Sequence, residues 1–189
     1  MVGSTGSTNN SEVALRFALW IGMGAIVMMF AALTSAYIVR KAAGNWYEFK
    51  LPLQFFYSTV AIVTSSFFAE RVCMAYKRSD RKSYLSAAIM VILLGCTFVV
   101  LQLMGWRALT SSGVTLDLNV SGSFFYALSG LHLIHVLGGI AVYCAGWLVV
   151  SDARFRFTQK GWVRLDLARQ YWHFIGLLWI YLLIFLILQ

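Results

Sequence analysis

Ser129-Gly130-Leu131-His132-Leu133-Ile134-His135-Val136-Leu137-Gly138-Gly139 sets two histidines a helical turn apart inside Leu118–Ser151, a run with no Asp, Glu, Lys or Arg. An imidazole held in hydrocarbon is costly unless it finds a partner. The helix carrying this stretch must therefore turn that side toward protein, headgroups or water. The third and last histidine sits in a second unusual cluster, Tyr171-Trp172-His173-Phe174.

Four more uncharged runs flank this one: Phe17–Val39, Leu51–Ala69, Ser83–Trp106 and Gln170–Gln189. Each is close to the roughly 20 residues needed to cross a 30 Å hydrocarbon core. Of the 189 residues, 60% are hydrophobic and only 12% charged, whereas a soluble domain is about a quarter charged. Only helices satisfy their own backbone in lipid over such lengths. The expected fold class is thus an all-α membrane protein, a bundle of five transmembrane helices at about 13–39, 52–76, 83–106, 123–150 and 168–189. These form a single domain over 12–189. The polar, uncharged residues 1–11 read as a disordered tail without the basic start of a signal peptide. Ser151–Leu167 reads as a basic loop.

The net charge of +8 raises a nucleic-acid reading, which its distribution disfavours. With five spans, Arg16, Arg71, Lys77, Arg78, Arg81, Lys82, Arg154, Arg156, Lys160, Arg164 and Arg169 fall on one side. The other side holds only Arg40, Lys41, Lys50 and Arg107. By the positive-inside rule the first side is cytoplasmic, so the N-terminus is inside and the C-terminus outside. The basic loops then lie against anionic headgroups. No nucleic-acid partner is expected. Cys73, Cys96 and Cys144 lack metal-type spacing and read as structural thiols.

His132 and His135, at i and i+3, share one helix direction, and with His173 they raise a metal or haem site. Helix 4 descends and helix 5 ascends, so His173 and His135 differ in depth by roughly 10–15 Å. One ion cannot join them. The histidines are therefore read as bonding neighbouring helices or lipid headgroups, with no catalytic and no metal residue assigned. Gln102 lies at a depth comparable to His132 and suits an interhelical hydrogen bond. Glu70, one turn inside the end of helix 2, could bind protons or a lipid amine. Pairing with Arg71, Lys77 or a basic residue of the last loop is favoured, because charged side chains near helix ends snorkel. No nucleophile–base pair, phosphate loop or carboxylate dyad stands out. A free-standing transporter or a dihaem carrier remains a competing class.

Phe124-Phe125-Tyr126-Ala127-Leu128-Ser129-Gly130-Leu131-His132-Leu133-Ile134-His135-Val136-Leu137-Gly138-Gly139 resembles the FF-x-x-TG-x-HG-x-HV-x-x-G segment of cytochrome c oxidase subunit III. Tyr171-Trp172-His173-Phe174 with Trp179 is similar to that family's YWHF-x-x-x-x-W. Phe155-Arg156-Phe157-Thr158 resembles its F-x-F-T loop, and Leu93–Gln102 its LLG-x-x-F-x-x-x-Q. The similarity runs from about Leu51 to the end, and Met28–Tyr37 looks like the first helix of five-helix bacterial versions.

The resemblance implies a non-catalytic subunit of a haem-copper terminal oxidase in the bacterial cytoplasmic membrane. It would pack beside catalytic subunit I, which would carry the haems and copper. It would have no cofactor of its own, bind phospholipid, and support proton uptake and turnover stability. Trp172, His132, His135, His173, Gln102, Glu70 and Arg71 are the residues expected to serve lipid binding or structure. A quinol oxidase or the related small subunit of a nitric-oxide reductase would fit the same chain. Three family carboxylates are replaced, at Ile26, Gly105 and Gly176, which weakens a proton-buffering role through those positions.

Overall fold

The computed structural model describes residues 5–44, 46, 49–115 and 120–188, with side chains from Asn10 onward. Five helices follow one another: α1 Thr5–Ala42, α2 Gln54–Lys77, α3 Arg81–Ser111, α4 Val120–Ser151 and α5 Gln159–Leu188. The protein is all-α over the described residues. Four helices, α1 from Asn10, α3, α4 and α5, are long and apolar enough to cross a membrane. α2 is not among them, since Ser58, Thr59, Thr64, Ser65, Ser66, Glu70 and Arg71 dilute its apolar run. Apolar side chains such as Phe17, Trp20, Met28, Val100, Ile134 and Leu177 point outward along the helices. That surface suits lipid, and the chain is a multi-pass membrane protein.

Two boundaries differ from those expected. α1 runs back to Thr5 through residues 5–11, expected to be a disordered tail; Met1–Ser4 lie outside the described residues. Adding turns to an existing helix needs no new nucleus, so polar residues can continue it. α5 begins at Gln159, so the second half of the expected Ser151–Leu167 loop is helical. Charge ends an apolar run but does not end a helix. Val163, Leu165 and Asp166 in this segment are buried.

α2 packs on α3 and α5, α3 on α4, and α4 on α5, closing a ring of four helices. α1 docks outside the ring and, among the described residues, touches only α4 and α5. Sequential neighbours run antiparallel. The tightest connection, Arg78–Asp80, joins α2 to α3 at one end of the bundle, the turn end. There Ser79 adopts φ 54°, the left-handed conformation that closes a helix, and its N–H donates to the Tyr76 carbonyl. Asp80 then caps α3, accepting from the Ser83 amide at 3.1 Å and the Ser83 hydroxyl at 2.6 Å.

Lipid tails are as apolar as leucine, so hydrophobicity does not drive helices together within a bilayer; close packing and interhelical hydrogen bonds do. The ring is built that way. Trp172 is fully buried and wedges between two glycines. A Cβ on Gly139 would stand 2.8 Å from two of its ring carbons, and one on Gly95 3.1 Å from a third. α1 is held by a separate cluster in which Phe30 and Tyr37 meet Leu128, Leu178 and Leu182.

Candidate functional site

Three hydroxyls of α2, those of Ser58, Thr59 and Ser65, turn inward and meet the ring's other polar groups. Trp172 Nε1 donates to Ser65 Oγ at 2.9 Å, and Trp179 Nε1 to Thr59 Oγ1 at 2.9 Å. Gln102 Nε2 donates to Ser58 Oγ at 3.0 Å. Trp172 and Trp179, seven residues and about two turns apart on α5, thus tie that helix to α2 at two levels. The polarity that excludes α2 from the apolar helices is thus spent on its neighbours.

His132 and His135 diverge. Three residues advance a helix by about 300°, leaving the two side chains roughly 60° apart. His132 is fully buried and stacks on Trp179, with ring centroids 5.1 Å apart, and meets the edge of Phe98 at 5.8 Å. Neither of its ring nitrogens has a hydrogen-bond partner among the described residues. His135 turns toward α1, where its ring meets Phe30 at 6.0 Å. Its Nδ1 lies 2.6 Å from the Leu131 carbonyl of its own helix. The single shared direction expected for the pair is therefore not what the structure holds.

His173 lies in a different cluster, toward the turn end. Its Nε2 sits 2.8 Å from Glu70 Oε1. Arg169 Nη1 donates to both Glu70 oxygens at 3.0 and 3.1 Å, while its Nη2 donates to Asp166 Oδ1 at 2.9 Å. Asp166 Oδ2 accepts from Gln170 at 3.0 Å and from Arg16 of α1 at 3.1 Å. Two guanidinium groups and two carboxylates thus bind α1, α2 and α5 into one network. Glu70 takes a basic partner, though it comes from α5 instead of a loop. Arg71 is exposed and lies over the Phe67 ring, 5.1 Å from its centroid. Lys77 lies over the Trp162 ring at 4.7 Å.

Asp166, Arg169, Gln170 and His173 fall at i, i+3, i+4 and i+7, one polar stripe on α5. Sequence reasoning missed Asp166, Gln170 and Arg16; this spacing was the available signal. Among the described residues, no three His, Cys, Asp or Glu side chains group closely enough to hold a metal.

The conspicuous motifs acquire structural explanations. In Tyr171–Phe174, Tyr171 donates to the His135 carbonyl at 3.1 Å, Trp172 enters the ring, and His173 meets Glu70. In the Phe155–Thr158 loop, both phenylalanines stand edge-on to Tyr76, whose hydroxyl donates to the Thr158 carbonyl at 3.0 Å. Thr158 Oγ1 then accepts from the Gly161 amide at 3.2 Å, capping α5. A Cβ on Gly105 would stand 2.7 Å from the Phe55 ring, so no carboxylate fits there without displacing it.

The family model for cytochrome c oxidase subunit III matches residues 46–188, spanning α2 to α5 and every motif just described. The chain belongs to the cytochrome c oxidase subunit III family. A probable cytochrome c oxidase subunit 3 of Mycobacterium bovis is 29% identical over 95% of this chain and 93% of its own length. The cytochrome c oxidase subunit 3 of Corynebacterium diphtheriae is 30% identical over 84% of this chain and 80% of its own length. That of Loxodonta africana is 29% identical over 54% of this chain but only 38% of its own. The match to the Mycobacterium bovis protein thus runs nearly end to end in both chains. The subunit III resemblance seen in the sequence motifs is established.

Proposed function

We propose that the chain is the non-catalytic subunit III of a bacterial haem-copper cytochrome c oxidase, packed beside catalytic subunit I in the cytoplasmic membrane. The observation that carries this reading is the family match across α2 to α5. In this reading all five helices cross the bilayer, with the turn end cytoplasmic and the C-terminus outside. α2 is able to cross because its hydroxyls bond within the ring and Glu70 is neutralised by Arg169. Haem and copper belong to the partner subunits. This chain stabilises turnover and proton uptake by holding helices and phospholipid beside them, with His132, His135, Trp172 and Gln102 fixing the helices. Glu70, Arg71 and His173 lie toward the cytoplasmic headgroup region.

Mild-detergent purification through a tag on this chain tests the reading. Co-purification of haem- and copper-bearing partners with oxygen reduction is the expected result. Recovery of the chain alone, able to move a solute in liposomes, would sink it. His132→Ala is expected to lower the recovery of assembled complex while leaving haem and copper per complex unchanged. Loss of metal with subunit stoichiometry intact would contradict the assigned role.

A further inference from the structure

One layer of the ring is polar at its centre. His132 of α4 is 0% exposed and Gln102 of α3 is 1% exposed. Gln102 stands about one turn beyond Phe98 on α3, and Phe98 meets the His132 ring at 5.8 Å and the Trp179 ring at 5.2 Å. Trp179 in turn stacks on His132 and donates to Thr59. Ser58, beside Thr59 in the chain, accepts from the Gln102 amide. Two routes, one through Phe98 and one through Ser58, Thr59 and Trp179, thus bring Gln102 and His132 into the same interior layer.

The hydrogen bonds of this layer do not close within the chain. Gln102 donates to Ser58, and Ser58 gives its own proton to the Phe55 carbonyl at 2.8 Å. Gln102 Oε1 is left without a partner among the described residues, and so are both nitrogens of His132. A neutral imidazole carries one N–H and one lone pair, so the two side chains bring one buried donor and two buried acceptors. Lipid cannot satisfy them, because neither residue reaches the surface. Groups of this kind, buried and left over by the protein, are the ones that internal waters join.

We infer that the ring interior binds a water molecule between His132 and Gln102. Water fits the chemistry of the layer: it is small, uncharged, and donor and acceptor at once. Its oxygen accepts from the His132 N–H, and one of its hydrogens goes to Gln102 Oε1. The other ring nitrogen keeps the lone pair. A cation would meet no carboxylate among Ser58, Thr59, Gln102 and His132 to neutralise it. Through the water, α3 and α4 are tied at one register in the middle of an otherwise apolar contact. The inference rests on the helix-fixing role given above to His132 and Gln102, and states the means by which they act.

Cryo-electron microscopy of the tagged complex in nanodiscs tests it, at a resolution that shows ordered water. The expected map has a density peak about 2.7–3.2 Å from both Gln102 Oε1 and one His132 nitrogen. A map without that peak, or with the two side chains in direct contact, overturns the site. Three variants add an energetic readout, the ratio of retained to released subunit after a graded detergent challenge. Gln102→Leu and His132→Phe each strand the polar group of the other residue and should lower that ratio by about fivefold or more. The double variant strands neither group and should return to within about threefold of wild type. Single effects that simply multiply in the double variant overturn the bridge but leave both residues fixing helices. Wild-type ratios in all three variants overturn the bridge and the helix-fixing role together.

Discussion

Trp172 is where the packing of the ring is least forgiving. Its indole fills the contact between Gly95 and Gly139 and donates its only hydrogen bond to Ser65. Gly139→Ala forces the ring to move and should cost about 1–3 kcal/mol as overpacking. Trp172→Phe keeps most of the volume but loses the hydrogen bond, and should cost about 0.6–1.7 kcal/mol plus a small packing loss. Reversible unfolding in mixed micelles measures both. The double variant should be less unstable than the sum, since the smaller ring gives room for the methyl group. Asp166 tests the network at the same scale. Asp166→Asn leaves Arg16 and Arg169 without the carboxylate they share and should cost about 1–3 kcal/mol. A measured change below a few tenths of a kcal/mol would show the network to be solvated.

Among the elements, α3 has a built-in acid sensitivity. The Ser83 hydroxyl and amide hold the Asp80 carboxyl below its ordinary value of 3.8. A depressed folded-state pKa stabilises the fold above the ordinary value and loses that contribution as pH falls through the depressed one. The stability of the α2–α3 hairpin should therefore decline below about pH 4. Asp80→Asn keeps a capping oxygen and should flatten that decline, as circular dichroism against pH would record.

Helix existence was legible from uncharged runs alone, because lipid forces runs of that length into helices. The start of α5 was not, because Lys160, Arg164 and Asp166 end the apolar run without ending the helix. Arg169 as the partner of Glu70 was hidden for the same reason. The inward hydroxyls of α2 were hidden because Ser and Thr look alike in sequence whether they face a tryptophan or lipid. The direction of His132 and His135 needed the neighbouring helices, since a spacing of three residues does not say which neighbour each ring will meet.

At the scale of the whole molecule, the proposed orientation is directly measurable. Reporter fusions should place Lys77–Lys82 inside and the C-terminus outside, and the reverse result would break the proposed topology. The ring and its outlying helix also imply an order of construction. α1 is the first of the five helices to leave the ribosome, yet among the described residues it touches neither α2 nor α3. The α2–α3 hairpin can form as soon as both are synthesised. α1 must wait alone in the bilayer until α4 and α5 arrive, and the Arg16–Asp166 contact spans 150 positions. A chain interrupted after α3 would therefore release a finished hairpin tethered to a helix with nothing to hold, a natural substrate for membrane quality control.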